Sequence, residues 1–201
     1  MSHPPFTIHI NRVIQILLLF LFVLSVGDAL FSPLLGVFVK GYVRGATLST
    51  VGFSFAVFAF TKSLLQIPLA RAIDKGLGEH DELILMVLGG IISTFAVFML
   101  IFVREVWQLY LFQALFGVGA ASILASYYAI FFHHTDKGKE AFEWSLFSVG
   151  GLTISVGVGS FLGGIIADAF GFPILFATSG VLSLLATVLL LLIHPHLKKS
   201  F

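Results

Sequence analysis

The chain has 201 residues, 58% hydrophobic and only 10% charged, with a mean hydropathy of +1.07. Soluble domains carry about 25% charged residues, so this composition describes a bilayer protein with no room for a soluble domain. A net charge of +1 with no basic patch excludes nucleic acid as a partner, and the absence of cysteine excludes disulfides, thiolate metal sites and cysteine nucleophiles.

Six apolar stretches, each long enough to cross about 30 Å of hydrocarbon, follow one another. The first is Val13–Val39. Arg12 and the apolar run behind it imitate a signal peptide, but the run is too long for an h-region of about 7–15 residues, so it is read as a retained helix. Asp28 lies deep within it. The second stretch, Thr47–Ala72, carries Lys62 and Gln66. Asp28 and Lys62 fall at neighbouring depths, roughly 9 Å apart. Such charges face a cavity or a partner, so the two are candidates for a mutual ion pair or for a substrate or proton site.

The loop Ala70–Glu79 follows, with Asp74 and Lys75 at its centre. It reads as a solvated turn or as a gating loop. The third stretch is Leu83–Val103, and the tight turn Arg104–Glu105 leads into the fourth, Val106–Phe132. There Gly117, Ala121 and Ala125 form a small-residue stripe. Gln113 and Tyr127, with Tyr110 and Tyr128, are candidates to line a cavity. In the next loop His133, His134 and Asp136 are too weak a pattern for a metal, and no metal or cofactor is expected.

The fifth stretch, Phe142–Ala169, opens on Glu140, Glu143 and Trp144, where acidic residues favour a helix N-terminus. It holds Ser155, Gly159 and Gly163 four apart, with Ser160 and Gly164 alongside. Small residues at that spacing let helix backbones approach, either within the chain or at a gate or subunit interface. Gly171–Phe172 and Pro173 lead into the sixth stretch, Pro173–Ile193, which has no charge. The third and sixth stretches read as lipid-facing supports. Ala177–Gly180 faintly resembles a rhomboid serine motif, but no later intramembrane histidine could activate it, so no enzyme is expected.

An even number of spans puts both termini on one side. With the termini inside, that side holds Arg12, Arg71, Lys75, Lys137, Lys139, Lys198 and Lys199, against Lys40, Arg44 and Arg104 outside. The expected place is therefore the cell membrane (inner or plasma), with both termini cytoplasmic. No linker divides residues 1–201, which read as a single six-helix transmembrane domain. A shift of about 97 residues brings Ser63-Leu64-Leu65 over Ser160-Phe161-Leu162 and Ala70-Arg71-Ala72 over Ala167-Asp168-Ala169. Since three helices is an odd number, the two triplets would be inverted repeats.

Three patterns carry a family resemblance. Asp74 and Lys75 occupy the acid and base positions of a loop that resembles the signature between the second and third helices of the major facilitator superfamily. Ala70 replaces its usual glycine, and Gly76–Glu79 departs from its basic end. Gly159-Ser160-Phe161-Leu162-Gly163-Gly164 resembles the family's fifth-helix pattern, with Ser160 where proline is usual. Gln113-Ala114-Leu115-Phe116-Gly117 resembles its fourth helix, with Gln113 where drug–proton antiporters carry arginine, which speaks against proton-coupled drug export. The resemblance implies an all-α membrane fold like one half, the N-terminal one, of a twelve-helix transporter. In that family helices 1 and 4 line the cavity, helices 2 and 5 meet the other half, and 3 and 6 lie outside.

The function so implied is secondary transport of a small solute by alternating access, as a half-size unit. Its partners would be the lipid bilayer, a small-molecule substrate, and a second copy or a separately encoded half, unless the chain is a fragment of a longer gene. The alternative is a six-helix substrate-binding subunit of a vitamin-type importer, whose alanines four apart in helix 1 are matched only by Ser25 and Ala29.

Overall fold

The computed structural model describes residues 10–76 and 78–197. Leu77 of the gating loop, and Lys198 and Lys199 of the positive-charge count, lie outside the described residues. Six helices long and apolar enough to span a membrane run α1 Arg12–Tyr42, α2 Leu48–Asp74, α3 Glu79–Phe102, α4 Val106–His134, α5 Glu140–Phe170 and α6 Phe172–His196.

Local chemistry sets their ends. The Asn11 side chain accepts the Val13 N–H at the start of α1, and Thr47 and Thr50 form a reciprocal capping box at the start of α2. Glu79, Asp81 and Glu82 fill the first turn of α3, where the helix dipole favours negative charge. Gly171, at φ +80°, takes the left-handed conformation that lets α5 stop and α6 begin within one residue. Two helices are irregular. Pro33 forces a 3₁₀ turn at Ser32–Leu34 inside α1, and Phe147–Ile154 of α5 is wound as a π-helix.

The helices pair in a pattern that survives exchange of the two triplets. α1 packs on α5 and α6; α4 packs on α2 and α3; α3 and α6 pack on each other. Swapping α1 with α4, α2 with α5 and α3 with α6 returns the same pairs. The α3–α6 seam shows why. Gly90, Thr94 and Phe98 run along α3 as Gly180, Ser183 and Thr187 run along α6. Gly90 receives Thr187, Gly180 receives Phe98, and between them Thr94 Oγ1 lies 3.0 Å from Ser183 Oγ. The shared seam joins two inverted three-helix repeats. Both α3 and α6 also turn apolar residues outward, among them Ile84, Ile91 and Phe95, and Val181, Leu184 and Val188.

Backbone approach at glycine makes these pairs possible. On α5 the buried residues are Glu143, Phe147, Gly151, Ser155, Gly159 and Gly163, one row four residues apart. From Gly151 on, that row lies on α1, while Phe147 also packs on Tyr127 and Phe131 of α4. A Cβ at Gly159 would stand 2.5 Å from Val26 O, and one at Gly163 would meet Leu30 O. On α4, Gly117 receives the backbone of α2 at Phe58, with Thr61 beside it. Ser155 is fully buried and donates to Gly151 O at 2.5 Å. The serine–glycine row is therefore consumed inside the chain and offers no surface to a partner. Gly164 is the exception among the small residues singled out from sequence. A Cβ there would meet nothing within 4 Å, because one residue's rotation carries it about 100° away from α1.

Leucine at Gly159 or Gly163 should therefore separate α5 from α1. The expected outcome is a loss of roughly 1–3 kcal/mol or more, read as a lower melting temperature in detergent. Gly164→Leu should leave that temperature nearly unchanged.

Candidate functional site

Residues near positions 10 and 197 share one end of the bundle with the tips of α2, α3, α4 and α5. Asn11 Nδ2 donates to His134 O at 3.4 Å, and His134 Nε2 lies 3.2 Å from Glu79 Oε2, both side chains nearly buried. These contacts gather the start of α1, the start of α3 and the end of α4. At the opposite end Arg44 N donates to Arg104 O at 2.8 Å, and the Arg44 side chain pairs with Glu105 at 3.3 Å in solvent. An ion pair so exposed adds little stability.

Between the tips of α2 and α4 and the starts of α3 and α5 lies a cavity of about 590 Å³. Asp74, Glu82, Tyr128, His133 and Trp144 line it. Asp74 thus borders a cavity, while Lys75 caps α2 and is exposed. Glu82 is buried with Oε2 unbonded among the described residues. Glu143 is also buried and accepts the Asp136 N–H at 3.1 Å. Sequence reading gave Glu143 only its helix-start role and passed over Glu82, since nothing in a helix's first turn tells a buried acid from a solvated one.

The polar residues inside the spans separate into distinct places. Gln113 is buried, and its Nε2 lies 3.4 Å from Ser54 Oγ, so it ties α4 to α2. Tyr127 lines no cavity. It is fully buried, with ring centroids of Phe20, Phe131 and Phe147 at 6.3, 5.7 and 5.7 Å. An aromatic ring surrounded by apolar rings gains packing there that a cavity wall would forgo. Gln66 sits on the outer face of α2 in a shallow groove with Ser63, Ile67 and Ala70.

Asp28 and Lys62 do not form an ion pair among the described residues. Lys62 Nζ lies instead 6.0 Å from the Phe58 ring centroid on its own helix. The reason is azimuth rather than depth. α1 packs on α5 and α6, α2 packs on α4, and α1 meets α2 chiefly near their junction, at Leu35–Tyr42. Asp28 lines a smaller cavity of about 240 Å³ at the α1–α5 contact, together with Ser25, Ser32 and Ser160. It belongs to a polar row on α1 (Ser25, Asp28, Ser32) that no other helix fully covers. The row's spacing in threes and fours was readable as one helix face.

A six-helix bundle with exchangeable triplets and one uncovered polar face is half of a transporter architecture. The sequence model of the Major Facilitator Superfamily matches residues 17–201. The chain belongs to the major facilitator superfamily. It is thus a multi-pass membrane protein of a transporter family rather than an enzyme family. An uncharacterized MFS-type transporter of Methanocaldococcus jannaschii, MJ1560, is 25% identical over 171 residues, which cover 84% of this chain and 42% of that protein. The crystal structure of the POT family transporter PepTSo superposes with a TM-score of 0.69 at 15% identity, covering 94% of this chain and 39% of PepTSo. That likeness is one of fold. The chain spans about two fifths of the length of these relatives.

Because Asp28 and Lys62 lie on separate flanks, their removal should act independently. Asp28→Asn and Lys62→Met are expected to change the melting temperature additively in the double variant, within about 0.5 kcal/mol. A double variant that departs from the sum of the two single effects by more than about 1 kcal/mol would reveal a coupling.

Proposed function

We propose that residues 1–201 form one six-helix wall of a secondary transporter that moves a small solute by alternating access. The observation that carries the reading is the polar row Ser25, Asp28 and Ser32 on α1. A carboxylate facing lipid costs roughly 2.5–3.5 kcal/mol on insertion scales, so such a row requires water or protein opposite it. One six-helix half supplies one side of a path, and alternating access needs a second half to rock against it. In this reading the second half is another copy, a separately encoded chain or a further part of a longer chain.

The exposed faces of α2 and α5 suit that contact. α2 buries only Thr50, Ser54 and Ile73, and α5 buries only its α1-facing row. The contact would therefore use Ser63 and Ile67 on α2 and Val158 and Leu162 on α5, not the serine–glycine row. The cavity beside Asp74 sits among the ends of α2, α3, α4 and α5, which supports a gating role for the Asp74–Lys75 loop. The excess of Lys and Arg on the terminal side supports cytoplasmic termini in a cell membrane.

The chain has no cysteine of its own, so single cysteines report cleanly. Ser63→Cys and Val158→Cys are expected to crosslink to a second copy or to a companion chain in native membranes. A monomer in lipid nanodiscs by native mass spectrometry, with no adduct at either position, would overturn the two-half reading.

A further inference from the structure

We propose that the α1–α5 groove is a binding site for a monovalent metal cation, with Asp28 as its charged ligand. Ser25, Asp28 and Ser32 stand three and four residues apart on one face of α1, and Ser160 faces them from α5 in the same cavity. Gly159 and Gly163 bring α5 onto α1 at Val26, Ala29 and Leu30, which places Ser160 within reach.

The oxygens gathered here are short of donors. Asp28 Oδ1 is buried and has no hydrogen-bond partner among the described residues. Pro33 has no N–H to give to Ala29 O, the acceptor four residues back, and Ala29 and Pro33 both line the cavity. Ser32 Oγ donates its proton to Asp28 O at 2.7 Å, so its lone pairs remain free. The Ser25 and Ser160 hydroxyls are engaged in no hydrogen bond among the described residues. Carboxylate, hydroxyl and carbonyl oxygens without donors are the ligand set of a hard cation. A helix interrupted in mid-membrane is where transporters expose such carbonyls.

Charge selects the class of cation. A single carboxylate balances one positive charge, and no Lys, Arg or His pairs with Asp28 among the described residues. A divalent ion would leave a net charge in a low-dielectric groove, and divalent sites usually recruit more carboxylates or phosphates. The binding site stands on this geometry alone; its use as a coupling-ion site rests on the transporter reading above.

The test is melting of the full chain in detergent at fixed pH and ionic strength, with choline replaced by Na⁺ or K⁺. A saturable rise with one of these ions is expected, abolished in Asp28→Asn. Ser25→Ala and Ser160→Ala should each weaken its apparent affinity on the order of tenfold, which keeps the test valid should Asp28→Asn not fold. Equal melting in choline, Na⁺ and K⁺, or an undiminished rise in the Asp28 and serine variants, would overturn the site. So would an Asp28-dependent response to pH with none to either metal ion. Cation binding without cation movement into proteoliposomes would uphold the site and overturn only the coupling role.

Discussion

Everything in this bundle depends on helix backbones coming close where side chains are small. In a bilayer, lipid tails are as apolar as leucine, so apolar surface alone does not draw helices together. Close packing and a few buried hydrogen bonds must do it. Gly89 and Gly119 cross α3 and α4 so tightly that a Cβ at Gly89 would stand 2.8 Å from Gly119 O. Gly27 plays the same part between α1 and α6, where Ser179 Oγ also donates to Gly27 O at 2.7 Å. The two crossings occupy corresponding places in the two triplets. The same device at Gly159 and Gly163 draws α5 onto α1, and there it also shapes the groove around Asp28.

That economy leaves a clear division of surfaces. The small residues at the helix crossings are used up inside the chain, apolar residues on α3 and α6 face outward, and the polar row of α1 is only partly covered. Helix α2 is held mainly by α4, and α5 mainly by α1, with further contacts to α6 and to Tyr127 and Phe131 of α4. Membership of a transporter superfamily gives that division its meaning. In the proposed reading, a wall with a polar face and two weakly buried flanks would move as a body against another wall.

The six helices were legible because each is a long apolar run with a chemical stop: Thr47 and Thr50, Glu105, and Gly171 with Pro173. The exchange of triplets was legible as the weak repeat joining Ser63 to Ser160. What sequence could not give was rotation about each helix axis. Gly163 and Gly164 are neighbours in sequence, yet one touches α1 and the other touches nothing within 4 Å. Asp28 and Lys62 matched in depth but not in azimuth. Tyr127 carries a hydroxyl that suggested a cavity, and only the rings of Phe20, Phe131 and Phe147 around it reveal a core residue. In sequence Ser25 reads only as a poor match to a docking alanine and Ser32 draws no attention, because serine is common in membrane helices; their meaning comes from sharing a cavity with Asp28.

The central claim is that the polar row of α1 faces a water-filled path and not lipid. Cysteines placed singly at Ser25 and Ser32, with Ile91 and Leu184 as outer-face references, can be probed with a membrane-impermeant maleimide from each side of intact vesicles. The account predicts that the α1 positions react, that access changes from one side to the other along the row, and that Ile91 and Leu184 stay inert. An α1 row as unreactive as Ile91 and Leu184 from both sides would contradict it.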